Sequence, residues 1–370
     1  MAVRLIAADA WDTYGTPSSI STGTFGIYQA NPNGATLGVL AINSIANPPW
    51  NPNFSGHYLH TVPGSVTIPN AGTGMYCNFG NPFRALLIGF WFRAASFSGG
   101  SSGGPFIFRW NVPSGQAFGA DIATLTVDSS GHIGCNAGFT SNALSINTWY
   151  FIECYTLFGT SGSPTIQGAQ AINVNSTSWI SASNISIGSS GVGYAVPSFN
   201  FDNEFSGSNF DFGPWYLLGD VSGIGDALST GGNLFFNTYL PTNNDVVQLT
   251  PNTGTNFSNV NSTPAGGNYN SSNVQGQQDT YGFSIPTLGT IKGVALSTSA
   301  EANPIAGNRV SLPVWKNGVG TVVTGSIGTG GGLSTIYSVA QDGRLVSPFT
   351  SLPFTAVELT TMKAGIVVQD

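Results

Sequence analysis

Five carboxylates, Asp202, Glu204, Asp211, Asp220 and Asp226, stand within 25 residues, with no Lys or Arg among them. Carboxylate and backbone oxygens are the ligands a hard cation such as calcium takes, and Asp202, Glu204 and Asp211 are the candidate set. No EF-hand-like spacing accompanies them. The competing reading is strand alternation, with Phe201, Phe205 and Phe210 turned inward and the acids turned to solvent.

Paired carboxylates could also cleave a glycosidic bond if they faced each other across a cleft, and Glu153 and Asp211 are the candidates for that. An E-x-D-x-E strand of the glycanase kind is missing, and alternation leaves Glu153 free to point outward without a role. His57, His60 and His132 are the whole histidine supply. His57 and His60 are three apart and would face opposite ways on an extended segment, and no HxH or CxxC pair joins them in a zinc pattern. Gly99-Gly-Ser-Ser-Gly103 satisfies the G-x-S-x-G pattern, but that nucleophile elbow needs a strand, a sharp turn and a helix. Here a Gly/Ser run is followed at once by Pro105, which reads as a hairpin loop. No catalytic residue is assigned, and the chain is expected not to be an enzyme.

Aromatic side chains offer a different chemistry. Trp and Tyr rings stack on sugar rings while Asn, Asp and backbone groups satisfy hydroxyls, and Trp50, Tyr58, Trp179, Tyr194 and Trp215 lie in or beside loop-like segments. Of these, Trp50, Trp179 and Trp215 are the candidate carbohydrate contacts, set against the alternative that such rings fill a core or a subunit interface.

Only 25 of the 370 residues are charged, and between Arg109 and Lys292 there is no Lys or Arg. That interval holds ten carboxylates, so it is acidic as well as charge-poor. The net charge of −7 argues against nucleic acid and anionic membrane as partners, since both are held by clustered cations. The longest apolar stretch, Phe83 to Phe92, is broken by Arg84 and Gly89 and is too short for a membrane-spanning helix. Asp9 interrupts the first apolar run before a signal-peptide core is built, so the chain reads as unprocessed and made in a cytoplasm. Three cysteines, Cys77, Cys135 and Cys154, are too few for a disulfide framework and read as buried small hydrophobes.

These side chains must be positioned by strands. Windows with apolar residues at helical spacing and free of Gly or Pro are scarce, whereas short alternating runs rich in β-branched and aromatic residues are many. Strands are predicted at 85–93, 105–110, 123–128, 149–157, 209–217, 290–296, 309–316 and 364–368. Asp128-Ser-Ser-Gly131, Asn317-Gly318 and Asp342-Gly343 carry hairpin-turn chemistry. The chain is all-β, with two antiparallel β-sandwich domains of the jelly-roll kind. The predicted boundaries are 1–222 for the first sandwich, 223–232 for a Gly-rich linker and 233–370 for the second, with a strand starting at Asn233 to Leu240.

Both halves resemble known proteins. Asp9-Ala-Trp-Asp-Thr-Tyr14, Ile88-Gly-Phe-Trp-Phe-Arg93, Thr124-Leu-Thr-Val-Asp-Ser-Ser-Gly131, Asn147-Thr-Trp-Tyr-Phe-Ile-Glu153 and Phe210-Asp-Phe-Gly-Pro-Trp-Tyr-Leu-Leu-Gly-Asp220 occur in the order found in laminin-G or concanavalin-like sandwiches of phage virion proteins. Trp91 and Trp149 are expected to fill the space between the sheets. The second half resembles the C-terminal domain that follows such a sandwich in tailed-phage proteins. The segments that carry this are Tyr239-Leu-Pro-Thr-Asn-Asn244, Leu249-Thr-Pro-Asn-Thr-Gly-Thr-Asn256, Val260-Asn-Ser-Thr-Pro264, Asn268-Tyr-Asn-Ser-Ser272 and Gly276-Gln-Gln-Asp-Thr-Tyr-Gly-Phe283. Asn261 stands where an acidic residue is expected in relatives, and Leu249 where a tryptophan is, which bears on any shared ligand site.

The resemblance implies a structural component of a tailed-phage virion, assembled in the host cytoplasm, in the tail, collar or fibre apparatus. Capsid decoration and a carbohydrate-binding receptor that touches the host surface are the alternatives. The expected partners are other virion proteins, copies of itself in a homo-oligomer and, in the receptor case, a host surface glycan. No cofactor is expected apart from calcium at the acidic group. Uncharged β surfaces suit assembly, because they bury against neighbours without the desolvation cost of unpaired ions.

Overall fold

The computed structural model describes residues 3–12, 23–25, 28–30, 40–52, 55–62, 75–97, 106–111, 121–135, 138–139, 143–159, 168–175, 179–185, 196–201, 209–229, 234–260, 268–286, 289–300, 310–325 and 338–369. It is an all-β protein built of antiparallel sheets. Each of the eight predicted strands is present with its ends shifted by a few residues, from Ala85–Ala94 to Lys363–Gln369. Val294–Ala300 moves furthest from its expected start.

Two antiparallel sheets, with seven and eight strands in their ordered paths, build the first unit. One runs in the order Ile180–Ile185, Gly168–Val174, Tyr150–Leu157, Ala85–Ala94, Phe210–Gly219, Ser55–Thr61, Leu40–Ala46. The other runs Gly138–Phe139, Ile133–Cys135, Asp121–Val127, Phe106–Asn111, Val196–Phe201, Met75–Phe83, Tyr28–Ala30, Gly23–Phe25. Side chains alternate across a strand, so Phe90 and Phe92 point one way and Trp91 and Arg93 the other. Phe90 stacks on Phe108 of the facing sheet at 5.8 Å, Phe212 meets Phe201 at 5.0 Å, and Trp215 meets Phe199 at 5.1 Å. Such ring pairs add about 1 kcal/mol each beyond the apolar area they bury. Trp110 bridges the gap with a polar contact, its Nε1 donating to Thr156 Oγ1 at 3.1 Å.

Trp91 therefore does not fill the space between the sheets. It lies on the opposite face, against Phe151 at 5.4 Å and Trp50 at 5.8 Å, and Trp149 meets the same Trp50 at 4.7 Å. The strand period decides this: once Phe90 and Phe92 are inward, Trp91 cannot be. Pro214 sits in a central strand because the register shifts between Phe212 and Trp215. Trp11 Nε1 donates to the Gly213 carbonyl there, at 2.8 Å.

The compact units divide after Phe236 rather than at residue 222. Residues 223–229 of the predicted linker are folded into the first unit. Asp226 closes a short turn by accepting from Ser222 N at 2.6 Å and from its hydroxyl at 2.8 Å. Phe236 N donates to the Trp50 carbonyl at 3.1 Å. Leu234 to Leu240 is not a strand; the first strand after the boundary is Pro241–Val247.

A five-stranded antiparallel sheet, ordered Pro241–Val247, Gln278–Phe283, Lys363–Gln369, Val310–Lys316, Val322–Thr324, is the base of the second unit. Trp315, Ala364, Phe354, Leu359 and Met362 form its core, with Val294 and Leu296 of the ribbon Val294–Ala300/Ser338–Arg344 packed on them. Asp128-Ser-Ser-Gly131 turns as predicted, with Gly131 at φ +87° and Ser130 N donating to Asp128 Oδ1 at 2.8 Å. Asp342-Gly343 does not turn. It lies inside Ser338–Arg344, where Asp342 accepts from Trp315 Nε1 at 2.6 Å and a Cβ on Gly343 would stand 2.8 Å from the Leu5 carbonyl.

Candidate functional site

Strand register brings three polar residues into a row across the sheet face that carries Trp91. Arg93 pairs with Asp211, and Asp211 pairs with His60, so residues 118 and 151 positions apart become lateral neighbours. Arg93 donates to Asp211 Oδ2 from Nε at 2.8 Å and from Nη2 at 2.6 Å. His60 Nδ1 lies 2.6 Å from Oδ1, and a carboxylate there makes the imidazole the donor. The Asp211 side chain is only 9% exposed, against 23% for His60 and 22% for Arg93.

Aromatic rings frame the row. Tyr58, two residues before His60 and so on the same face, lies 5.3 Å from the Arg93 guanidinium carbon, and Trp149 lies 4.7 Å from it. Both rings are half-buried. A guanidinium held over two aromatic faces and bonded to a carboxylate has few conformations left, so the row is preorganised. Both Asp211 oxygens are occupied, whereas Arg93 Nη1, the second His60 nitrogen and the Tyr58 hydroxyl have no partner among the described residues. Trp149 Nε1 is buried without an acceptor.

Further along the same face, Glu153 is 1% exposed. It is not the idle outward acid that alternation allowed, because residues 228–229 lie over it. Tyr216 and Ser229 donate their hydroxyls to Glu153, and Ser229 N donates at 3.2 Å. Tyr216 in turn accepts from Leu228 N at 3.1 Å. Burial pushes the Glu153 carboxyl up, and the three donors from Ser229 and Tyr216 only partly offset it. Burial and the neighbouring carboxylate push the Tyr216 phenol well above its ordinary value. Glu153 thus fastens a folded segment to the sheet and does not face Asp211 across an open cleft.

Trp50 and Trp215, two of the three candidate sugar contacts, are 1% and 0% exposed. Trp50 covers the sheet at Gly213, and Trp215 faces the other sheet, so neither offers a ring face to a ligand. Trp179 is half-buried at the start of Ile180–Ile185. Asp202 and Glu204 lie outside the described residues, as do Ser101 and Ser102. Asp211, the third candidate calcium ligand, is taken by Arg93 and His60, which corrects its assignment as a free oxygen donor. Among the described residues no three His, Cys, Asp or Glu side chains group in a way that could hold a metal ion. His132 is bonded to Asp128 at 3.0 Å within the hairpin.

Sequence reasoning missed His60, Arg93 and Tyr58 as a group. One signal was present: Arg93 is a cation near the end of a strand that is otherwise almost wholly apolar, and such a cation needs an anionic partner. Nothing in the sequence chose among the sixteen carboxylates.

The second unit has its own polar centre. Asp279 is fully buried and accepts from Gln248 N at 2.8 Å, Leu249 N at 2.9 Å, Asn256 Nδ2 at 2.7 Å, Tyr281 Oη at 2.9 Å and Asn270 Nδ2 at 3.3 Å. Asn259 ties the surrounding turns together through Asn252, the Tyr269 carbonyl and Asn270. A buried carboxylate with this many donors is satisfied and structural, and Asp279 leaves no evident place for a ligand.

No protein-family profile matches the sequence, and no curated protein does. Solved structures align with it at low similarity. The "Cellulose induced protein, Cip1" is 12% identical with a TM-score of 0.38, covering 57% of this chain and 96% of its own. An alginate lyase from Aplysia kurodai is 12% identical with a TM-score of 0.34, covering 45% and 84%. Peanut lectin is 12% identical with a TM-score of 0.29, covering 55% and 95%. Because alginate lyases stand among these structures, the expectation that the chain is not an enzyme is withdrawn. At such identities and TM-scores, the likeness does not show that it is one either.

Proposed function

We propose that the chain is a structural component of a tailed-phage particle, in the tail, collar or fibre apparatus, where it works with other particle proteins and with copies of itself. The observation that supports this reading is the Asp279 centre. Three of the segments that resemble the phage C-terminal domain supply Leu249, Asn256, Asn270, Asp279 and Tyr281, and these residues converge on one carboxylate. The residues that carry the resemblance therefore build one scaffold. Gold-labelled antibody on purified particles is expected to mark the tail apparatus, and absence of the chain from particles would overturn the reading. Labelling spread over the head would favour capsid decoration instead.

A second reading, a receptor protein that binds host-surface carbohydrate, is favoured by one specific observation. Tyr58, His60, Arg93 and Trp149 present half-buried aromatic and polar groups in a fixed arrangement on a sheet face. Rigid aromatic surface beside oriented polar groups is what saccharide recognition uses. A glycan array probed with the intact protein tests it, and silence across the array would remove it.

A further inference from the structure

We infer that the Arg93–Asp211–His60 row is a binding site for acidic saccharides, recognised through a carboxylate or sulfate group on the sugar. This rests on the carbohydrate-binding reading and goes beyond it by naming the ligand class.

The donor inventory carries the inference. Asp211 is the only anion in the row, and both of its oxygens already accept hydrogen bonds from Arg93 and His60. What remains for a ligand is Arg93 Nη1, the second ring nitrogen of His60 and the Tyr58 hydroxyl. The first is a donor only and the Tyr58 hydroxyl can donate, whereas the second His60 nitrogen accepts in the neutral ring and donates in the protonated one. The guanidinium edge offers a neutral sugar, whose hydroxyls both donate and accept, no acceptor for its hydroxyl protons. A planar carboxylate or a sulfate supplies acceptors alone. Arg93 is also held in place before any ligand arrives, by Asp211 and by the rings of Tyr58 and Trp149, so little entropy is lost on binding. The buried Trp149 Nε1, which has no acceptor, is a further unmatched donor in the same group. The rest of the chain makes this local excess notable, since a net charge of −7 repels anions in general and an acidic ligand would be held only where donors concentrate.

Isothermal titration of the full chain in the presence of EDTA, which removes calcium bridging, tests the inference with three probes of equal length. These are an oligogalacturonate, a sulfated galactan oligomer and a neutral malto-oligosaccharide. The acidic probes are expected to bind and the neutral one not to, and the stronger of the two acidic probes distinguishes carboxylate from sulfate recognition. Tyr58→Phe deletes a hydroxyl that makes no hydrogen bond among the described residues, so it should leave the melting temperature unchanged and weaken acidic binding about tenfold. Arg93→Lys keeps a cation beside Asp211, loses the guanidinium fork and should weaken it further. Binding of the neutral probe alone would overturn the acidic-ligand inference and leave the carbohydrate reading standing. Binding of no probe would remove both. Acidic binding that neither variant weakens would place the sugar elsewhere and overturn the site.

Discussion

Glu153 shows how burial and hydrogen bonding compete at a single residue. Three donors favour its ionised form, yet removal from water outweighs them and holds its proton more tightly than the ordinary value of 4.5. The consequence for stability has a definite sign. The folded state binds this proton more strongly, so the favourable contribution is complete below the unfolded value and is lost as pH rises through the higher folded value. Glu153→Gln cannot ionise, so its melting temperature relative to wild type is expected to climb as pH is raised from about 4.5 to neutrality. A difference that stays flat across that range would show that Glu153 is not carrying a raised pKa. Asp245 behaves oppositely. Burial raises it, but Lys316 at 2.6 Å, Thr280 and Lys363 together hold it lower, so its contribution is present above the ordinary value of 3.8 and fades as pH falls through the folded one. At the row, Arg93→Ala would leave the Asp211 carboxylate buried with its cation gone, at a cost of about 3 kcal/mol measured by denaturant unfolding. The double variant Arg93→Met/Asp211→Leu removes both charges and should recover most of that loss.

At the scale of elements, the strand Ala85–Ala94 is the one on which the first unit depends most. It is paired on its two sides with Tyr150–Leu157 and Phe210–Gly219, and its side chains are buried on both faces. Gly89 lies opposite Glu153 on one side and Tyr216 on the other, and the Tyr216 ring occupies the space where a Cβ would be. Gly89→Ala should therefore push Tyr216 away from Glu153 and cost about 2 kcal/mol by overpacking. Calorimetry on that variant showing wild-type stability would mean the ring has room to move. Strands were legible in the sequence because alternation and β-branched or aromatic content are local properties, as in Tyr150–Leu157 and Phe210–Gly219. Turn chemistry was less decisive. Asp128 to Gly131 is a turn, whereas Asp342-Gly343 runs straight through a strand, because there glycine serves the close approach of the Leu5 backbone rather than a positive φ.

For the whole molecule, chain order and compactness disagree in an instructive way. Residues 4–8 group with 237–370, although more than two hundred residues of the first unit intervene. Gln341 Nε2 donates to the Ala8 carbonyl at 2.9 Å, and Gly343 and Gly293 leave space that Leu5 fills. Deleting residues 1–8 is expected to speed amide hydrogen exchange in Val294–Ala300 and Ser338–Arg344. Unchanged protection there would mean that the N-terminal strand adds nothing to the second unit. The scarcity of charge also has a consequence at this scale. Contacts between copies should rest on hydroxyl, amide and apolar groups, so light scattering is expected to show an oligomer that survives high salt. A monomer at all concentrations would argue against self-assembly.

The sequence by itself determined the all-β class, the positions of eight strands and the polar, charge-poor character of the surface, because each follows from local periodicity and composition. Tertiary structure alone decided which side chains meet. Arg93, Asp211 and His60 come from three strands far apart in the chain, and their meeting depends on sheet order and register, which no local pattern encodes. The same holds for burial. Glu153, Trp50 and Trp215 carry sequence signals compatible with exposure, and only the segments folded over them, or the facing sheet, take them out of water. The motif residues around Asp279 lie between these cases. Their types and spacing were readable, but that they converge on one buried carboxylate became visible only when the chain had closed around it.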